Sequence, residues 1–84
     1  MNQLEKVVNI GPVNAEKLVQ VGINNIEDLK KAGAENAFLR IRTIDPGACL
    51  HLLYGLEGAV QGIKKSHIST LRKKELQDFF KHCK

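Results

Sequence analysis

Apolar residues recur at intervals of three and four along most of the 84-residue chain, which is the spacing of amphipathic α-helices. The predicted helices cover about residues 3–8, 12–21, 25–32, 34–44, 46–62 and 70–82. No stretch alternates apolar and polar residues convincingly, so no β-strand is predicted. The expected fold is therefore all-α, a compact bundle of five or six short helices.

The segment around Gly11 and Pro12 shapes the start of the chain. Glycine permits a tight backbone turn, and proline suits the first position of a helix. The helix that follows is expected to bury four apolar side chains, those of Val13, Ala15, Leu18 and Val21. Gly22 is expected to end it in a left-handed conformation. A turn between two helices that lead into a third is typical of a helix-hairpin-helix unit, a SAM-like core.

Helix boundaries are marked further along the chain by capping residues and breakers. Asn25 and Ser69 are predicted to cap the helices that follow them, and Gly33 is predicted to stop a helix. Asp45 is a candidate N-cap for the longest helix, with Pro46 in its first turn.

That longest helix, 46–62, is also the most apolar, so it is expected to lie centrally in the core. Gly55, Ala59 and Gly62 share one of its faces, where close packing against helix 12–21 or helix 34–44 is predicted. Glu57 stands among apolar residues. It is either partly buried with Arg40 or Arg42 as its partner, or it lies on an exposed turn.

The last helix and the connector before it carry the positive charge. The chain has a net charge of +4, yet residues 1–33 are neutral, while residues 64–84 hold seven basic and two acidic residues. The inner face of the last helix is assigned to Leu71, Leu76, Phe79 and Phe80, and its outer face to Arg72, Lys73, Lys74, Lys81 and Lys84. Such a cluster is either a nucleic-acid surface or a solvated helix face. The tentative DNA-binding residues in this segment are Lys64, Lys65, Arg72, Lys73 and Lys74.

Side chains with catalytic or metal-binding chemistry are few and scattered. Cys49 and Cys83 are far apart in sequence, and none of the three histidines has a metal-ligand spacing with them. Cys49 and His51 are two residues apart on a helix and so point away from each other. We therefore predict no enzyme, no catalytic residues, no metal, no cofactor and no small-molecule substrate. The lack of a signal peptide or a long apolar run favours a cytoplasmic protein with no membrane contact.

Two motifs in order resemble one known family. They are the Asn9-Ile10-Gly11-Pro12 stretch with the following Ala-Glu-Lys-Leu, and the Leu-Leu-Tyr-Gly-Leu-Glu-Gly-Ala run at 52–59. Together they resemble the C-terminal domain of the TfoX/Sxy family, and the likeness covers nearly the whole chain. It implies one domain over 1–84, with a hairpin part at 1–33 and a core helix and basic C-terminal helix at 34–84. The family implies a role in regulating natural competence, with this chain as a standalone form or an excised domain.

Helix-hairpin-helix modules of DNA-handling proteins turn backbone N–H groups toward a phosphate. By that resemblance, the backbone candidates are Ile10, Gly11 and Val13, and the side-chain candidates are Asn9 and Lys17. The chain departs from many DNA-binding hairpins because Asn9 stands at a glycine position and no basic residue follows the turn. Alternatively, Gly11 and Pro12 shape a packed turn and Lys17 lies on a solvated face.

The partner remains a choice between two classes. One is the DNA backbone, bound without sequence specificity. The other is a protein of the transcription machinery, bound by a SAM-like interaction module. A purely structural accessory domain of a longer regulator is a third interpretation.

Overall fold

The computed structural model describes residue 4 and residues 7–83, which form four α-helices and no strand. The helices are α1 (Pro12–Gln20), α2 (Ile26–Arg42), α3 (Leu50–Gln61) and α4 (Thr70–His82), with a 3₁₀ turn at Lys65–His67 before α4. The all-α prediction is confirmed, but the number of helices is lower than the five or six predicted. Residues 3, 5 and 6 of the predicted helix at 3–8, and the terminal Lys84, lie outside the described residues. In the rest of that segment Leu4 is fully buried, while Val7 and Val8 lie in a bend and a turn.

α1 begins and ends where the sequence indicates. Its end is closed by two hydrogen bonds, from Gly22 N to Val19 O (3.0 Å) and from Ile23 N to Leu18 O (2.8 Å), with Gly22 at a φ of 90°. This is the bonding pattern of a Schellman motif, so Gly22 acts as predicted. Val13, in contrast, is 66% exposed, and its predicted burial is wrong. On a helix of 3.6 residues per turn, it points away from the buried Leu18.

α2 spans the two predicted helices at 25–32 and 34–44. Asn25 caps it as expected, because its Oδ1 accepts a hydrogen bond from Asp28 N at 2.8 Å. Gly33 interrupts the helical backbone with φ 81° and ψ 160°, a conformation that favours glycine. Gly33 thus stops the first helical segment as predicted, and a second segment begins at Ala34, so α2 is two helical segments joined at a kink.

α3 begins at Leu50, four residues later than predicted. Asp45 does not cap it: Asp45 Oδ1 accepts from Gly47 N (3.2 Å), and Asp45 O accepts from Ala48 N (3.1 Å). These bonds fold residues 45–48 into a turn, a local alternative to helix that Asp readily forms. Cys49 is the N-cap, with no hydrogen bond from its side chain.

The glycine face of α3 is closely approached, but not by another helix. A Cβ atom on Gly55 would lie 3.5 Å from Asn9 O. A Cβ atom on Gly58 would collide with Asn9 Nδ2 and lie 2.8 Å from Ile63 O. The turn before α1 and the connector after α3 therefore take the place that the sequence assigned to a helix.

The core lies mainly between α2 and α3, with α1 and α4 covering it. Its largest fully buried side chains are Leu4, Leu18, Ile23, Leu29, Phe38, Ile41, Leu53, Leu56 and Leu76. α4 contributes Leu76 and the half-buried Phe80, whose ring centroid lies 5.8 Å from that of Phe38. Leu71 is 72% exposed, so its predicted inward position is wrong. It stands five residues before Leu76, which places the two on different faces of α4.

Candidate functional site

Asn9 joins two distant parts of the chain. Its Nδ2 donates a hydrogen bond to Ile63 O (2.9 Å), and its Oδ1 accepts one from Lys65 N (3.1 Å). Its φ of 70° lies in the left-handed region, which asparagine tolerates better than other residues that carry a side chain. We call this arrangement the Asn9 clamp. It fixes the turn at 7–11 against the connector at 63–65.

The backbone groups predicted to contact phosphate differ in their availability. Ile10 N donates to Val7 O at 3.1 Å, so this N–H is already used within the turn. Gly11, the N-cap of α1, and Val13 are both exposed, and no side chain caps the helix start. Unpaired N–H groups at a helix start point outward and carry partial positive charge. Gly11 and Val13 therefore stay candidates for a backbone contact with an anion.

Lys17 is engaged by an acidic partner. Its Nζ lies 2.6 Å from Asp45 Oδ2, and the two side chains are 29% and 31% exposed. The hydrogen bond from Lys17 lowers the pKa of Asp45 below its ordinary value. An ion pair across 28 residues of chain therefore holds Lys17, so its side chain does not lie free on a solvated helix face.

A cleft of about 260 Å³ lies between α1, the start of α3 and the 3₁₀ turn. Its polar lining includes Asn9, Asn14, Lys17, Asp45, His51 and Lys65. The structure thereby brings together three predicted site residues from separate parts of the sequence. Asn9 and Lys17 belong to the neutral segment 1–33, and Lys65 belongs to the basic end. The Asn9 clamp brings Lys65 to Asn9, and the ion pair with Asp45 holds Lys17 in the same cleft.

Arg72 is not part of an exposed basic face. Its Nη2 donates to Glu35 Oε1 (2.7 Å) and to Glu57 Oε1 (2.9 Å), and its Nη1 donates to Glu75 Oε1 (3.3 Å). The bonds to Glu57 and Glu35 raise the pKa of Arg72. Its predicted position on the outer face of α4 is therefore wrong. Lys64, Lys65 and Lys74 are exposed, and Lys73 is half-buried.

Glu57 is the buried carboxylate of this ionic cluster, at 7% exposure. Its other oxygen, Oε2, accepts a hydrogen bond from Gln61 Nε2. Its burial agrees with its place in an apolar run, but the predicted partner, Arg40 or Arg42, is wrong. Arg42 instead donates to Cys83 O at 2.6 Å. No periodicity in the sequence connects Glu57 with Arg72, so this pairing could not be found by spacing.

Metal ligands, cysteine thiols and membrane-spanning helices are the remaining features to describe in the structure. Among residues 4 and 7–83, no group of three or more His, Cys, Asp or Glu side chains could hold a metal ion. Cys49 and Cys83 are both free thiols. None of the described helices has the length and apolar character needed to cross a membrane.

Comparison with known proteins settles the family. The TfoX C-terminal domain family matches residues 1–80. The chain belongs to this family. The resemblance inferred from the motifs at 9–12 and 52–59 is thereby confirmed. A search of curated proteins gives no match for this TfoX C-terminal domain.

Two solved structures from Listeria monocytogenes share its fold. One, an uncharacterized protein in a triclinic crystal form, is 42% identical with a TM-score of 0.89, over 90% of this chain and 86% of that one. The other, a protein of unknown function in a tetragonal form, is 40% identical with a TM-score of 0.93, over 96% of this chain and 100% of that one. The fold is thus shared across nearly the full length of these relatives.

Proposed function

We propose that this TfoX C-terminal domain is a non-enzymatic regulatory module that binds the phosphate backbone of double-stranded DNA without reading its sequence. The observation that supports it is the Asn9 clamp, which places Lys65 beside the turn that leads into α1. Residues 1–33 carry no net charge. The connector supplies the cations that this part of the sequence lacks.

The proposed surface combines two kinds of phosphate ligand. The exposed start of α1 at Gly11 and Val13 offers backbone N–H groups, as in a helix-hairpin-helix contact. Lys64 and Lys65 offer exposed ammonium groups, and the backbone of Lys65 is bonded to Asn9, two residues before Gly11. Both recognise phosphate oxygens and neither recognises base edges, so the binding should be insensitive to sequence.

The expected affinity is modest because few cations are available. Arg72 is held by carboxylates, which leaves Lys73 and Lys74 as the basic residues near the start of α4. Non-specific DNA binding of this kind has dissociation constants of about 10⁻⁴ to 10⁻⁶ M at physiological salt. Each phosphate contact contributes about −0.9 to the slope of log affinity against log salt.

The test is a titration of a fluorescent duplex of random sequence at about 50 and 200 mM salt. We expect micromolar binding that weakens with salt, and a loss of about tenfold or more in a Lys64→Glu/Lys65→Glu variant. Lys30→Glu/Lys31→Glu is the matched control, because it changes the charge of an exposed lysine pair equally at the middle of α2. An equal loss in both variants would contradict a localised surface, and no binding by the native chain would refute DNA binding.

A protein of the transcription machinery is the second candidate partner. Val13 and Leu71 are large apolar side chains at high exposure, which favours a protein contact more than a phosphate contact. An interaction that persists at about 200 mM salt in the Lys64→Glu/Lys65→Glu variant, but is lost in Val13→Ser, would favour this candidate.

A further inference from the structure

We infer that Asp45 competes with DNA phosphate for Lys17. It holds Lys17 in the free protein, and Lys17 leaves it for a DNA phosphate in the complex. The inference rests on the proposed function and names the residue that limits it. In the complex, the Lys17 ammonium would exchange one oxyanion for another. No covalent bond changes.

The geometry brings the competitor into the proposed surface. The Lys17–Asp45 ion pair lies in the same cleft as Asn9 and Lys65. A cleft of about 260 Å³ is several times the ~30 Å³ that one water occupies in the liquid, so a phosphate group has room to enter. Lys17 would then stand with Lys65 on one phosphate surface.

The ion pair is suited to such an exchange. Both side chains are about a third exposed, and ion pairs that solvent reaches contribute little net stability. Breaking the pair therefore opposes DNA binding weakly, while a phosphate entering the cleft would meet an ammonium already in place. The Asp45 carboxylate, left behind, would repel that phosphate. Asp45 therefore lowers the affinity for DNA both by holding Lys17 and by repelling the phosphate.

Asp45 can be altered without dismantling its turn. Oδ2 faces Lys17, while Oδ1 accepts a hydrogen bond from Gly47 N. In Asp45→Asn, the amide oxygen can keep the bond to Gly47 while the negative charge is removed. Thermal unfolding monitored by circular dichroism checks that the variant remains folded.

The test compares Asp45→Asn with the native chain in the duplex titration. We expect the affinity at about 50 mM salt to rise about three- to tenfold, because Lys17 no longer has to leave a carboxylate to reach the phosphate. Glu16→Gln is the matched control, because it removes the same charge from an exposed residue of α1 that does not line the cleft. It should change affinity less than about twofold.

A second pair of variants isolates Lys17. In a Lys17→Gln background, Asp45→Asn should give no larger gain than the Glu16→Gln control. Lys17→Gln alone should reduce affinity less than Lys65→Gln, since the contact of Lys17 with phosphate is offset in the native chain by the loss of its ion pair with Asp45. The comparison of Lys17→Gln alone does not use Asp45→Asn, so it remains valid if that variant fails to fold.

The outcomes separate the two proposals. If Asp45→Asn gains no more than Glu16→Gln, or if Lys17→Gln loses as much as Lys65→Gln, the role of Asp45 is overturned while the DNA surface stands. If neither the native chain nor Asp45→Asn binds the duplex, the proposed function itself fails.

Discussion

Replacing Arg72 with Met would leave a buried carboxylate without its cation. Arg72 bridges Glu57 on α3 and Glu35 on α2, so one side chain of α4 is bonded to both helices of the core. Met keeps much of the apolar stem and removes the guanidinium. The perturbation therefore acts on the charge at Glu57, which is nearly inaccessible to water.

The expected cost follows from the exposure of the groups involved. Removing one partner of a fully buried ion pair costs about 3–5 kcal/mol. Here the Arg72 and Glu35 side chains are 26% and 35% exposed, so solvent screens part of the effect, and we expect a loss of about 2–4 kcal/mol. Domains of this size have a total stability of roughly 4–13 kcal/mol. The melting temperature should fall by about 10–30 °C.

The assay is urea unfolding followed by circular dichroism at neutral pH. Arg72→Met/Glu57→Gln should regain about half or more of the lost stability, because the double variant no longer buries an unpaired charge. Lys74→Met, an equivalent change at an exposed position of α4, should stay within about 0.5 kcal/mol of the native chain. An Arg72→Met loss no larger than that of Lys74→Met, or a double variant no more stable than Arg72→Met, would refute the reasoning.

Two further predictions concern stability. Gly58→Ala should lower the free energy of unfolding by about 1–3 kcal/mol, since its Cβ atom has no room beside Asn9. Gly55→Ala should be neutral or stabilising by up to about 1 kcal/mol, because its Cβ atom meets Asn9 at ordinary contact distance and alanine favours the helix. Equal unfolding midpoints of the two variants in urea would contradict this. Burial raises the pKa of Glu35, but the hydrogen bond from Arg72 and its charge outweigh burial, so the pKa lies below its ordinary value. The stability that Glu35 contributes is therefore present above the unfolded-state pKa and is lost as the pH falls through the folded one. Glu35→Gln should destabilise the chain at pH 7, and the difference should shrink as the pH falls through the folded-state pKa of Glu35; a difference that does not change with pH would contradict the assignment.

Features that depend on near neighbours in sequence could be predicted. Asn25 and Ser69 cap their helices through bonds to residues three positions later, and Gly22 ends α1 through bonds within the same turn. Propensity and spacing contain that information. Asp45 shows the limit of such signals, because a cap and a turn use the same side chain, and the turn formed.

The candidate site depends on contacts that spacing does not encode. Arg72 meets Glu57 and Glu35 across 15 and 37 positions, so a charge run on a terminal helix looked like a solvated face. The left-handed backbone at Asn9 could have been predicted, because asparagine at a glycine position indicates that conformation. Its bonding partners in the connector could not be inferred, since they follow from the packing of α3.

The Asn9 clamp also determines which parts of the molecule open together. One side chain bonds two backbone groups that lie 54 and 56 positions away, so detaching the connector breaks both hydrogen bonds to the turn before α1. We expect these two segments, far apart in sequence, to open as one cooperative unit of local unfolding. The amide hydrogen of Lys65, on an otherwise exposed residue, should then be protected from exchange with solvent until that unit opens.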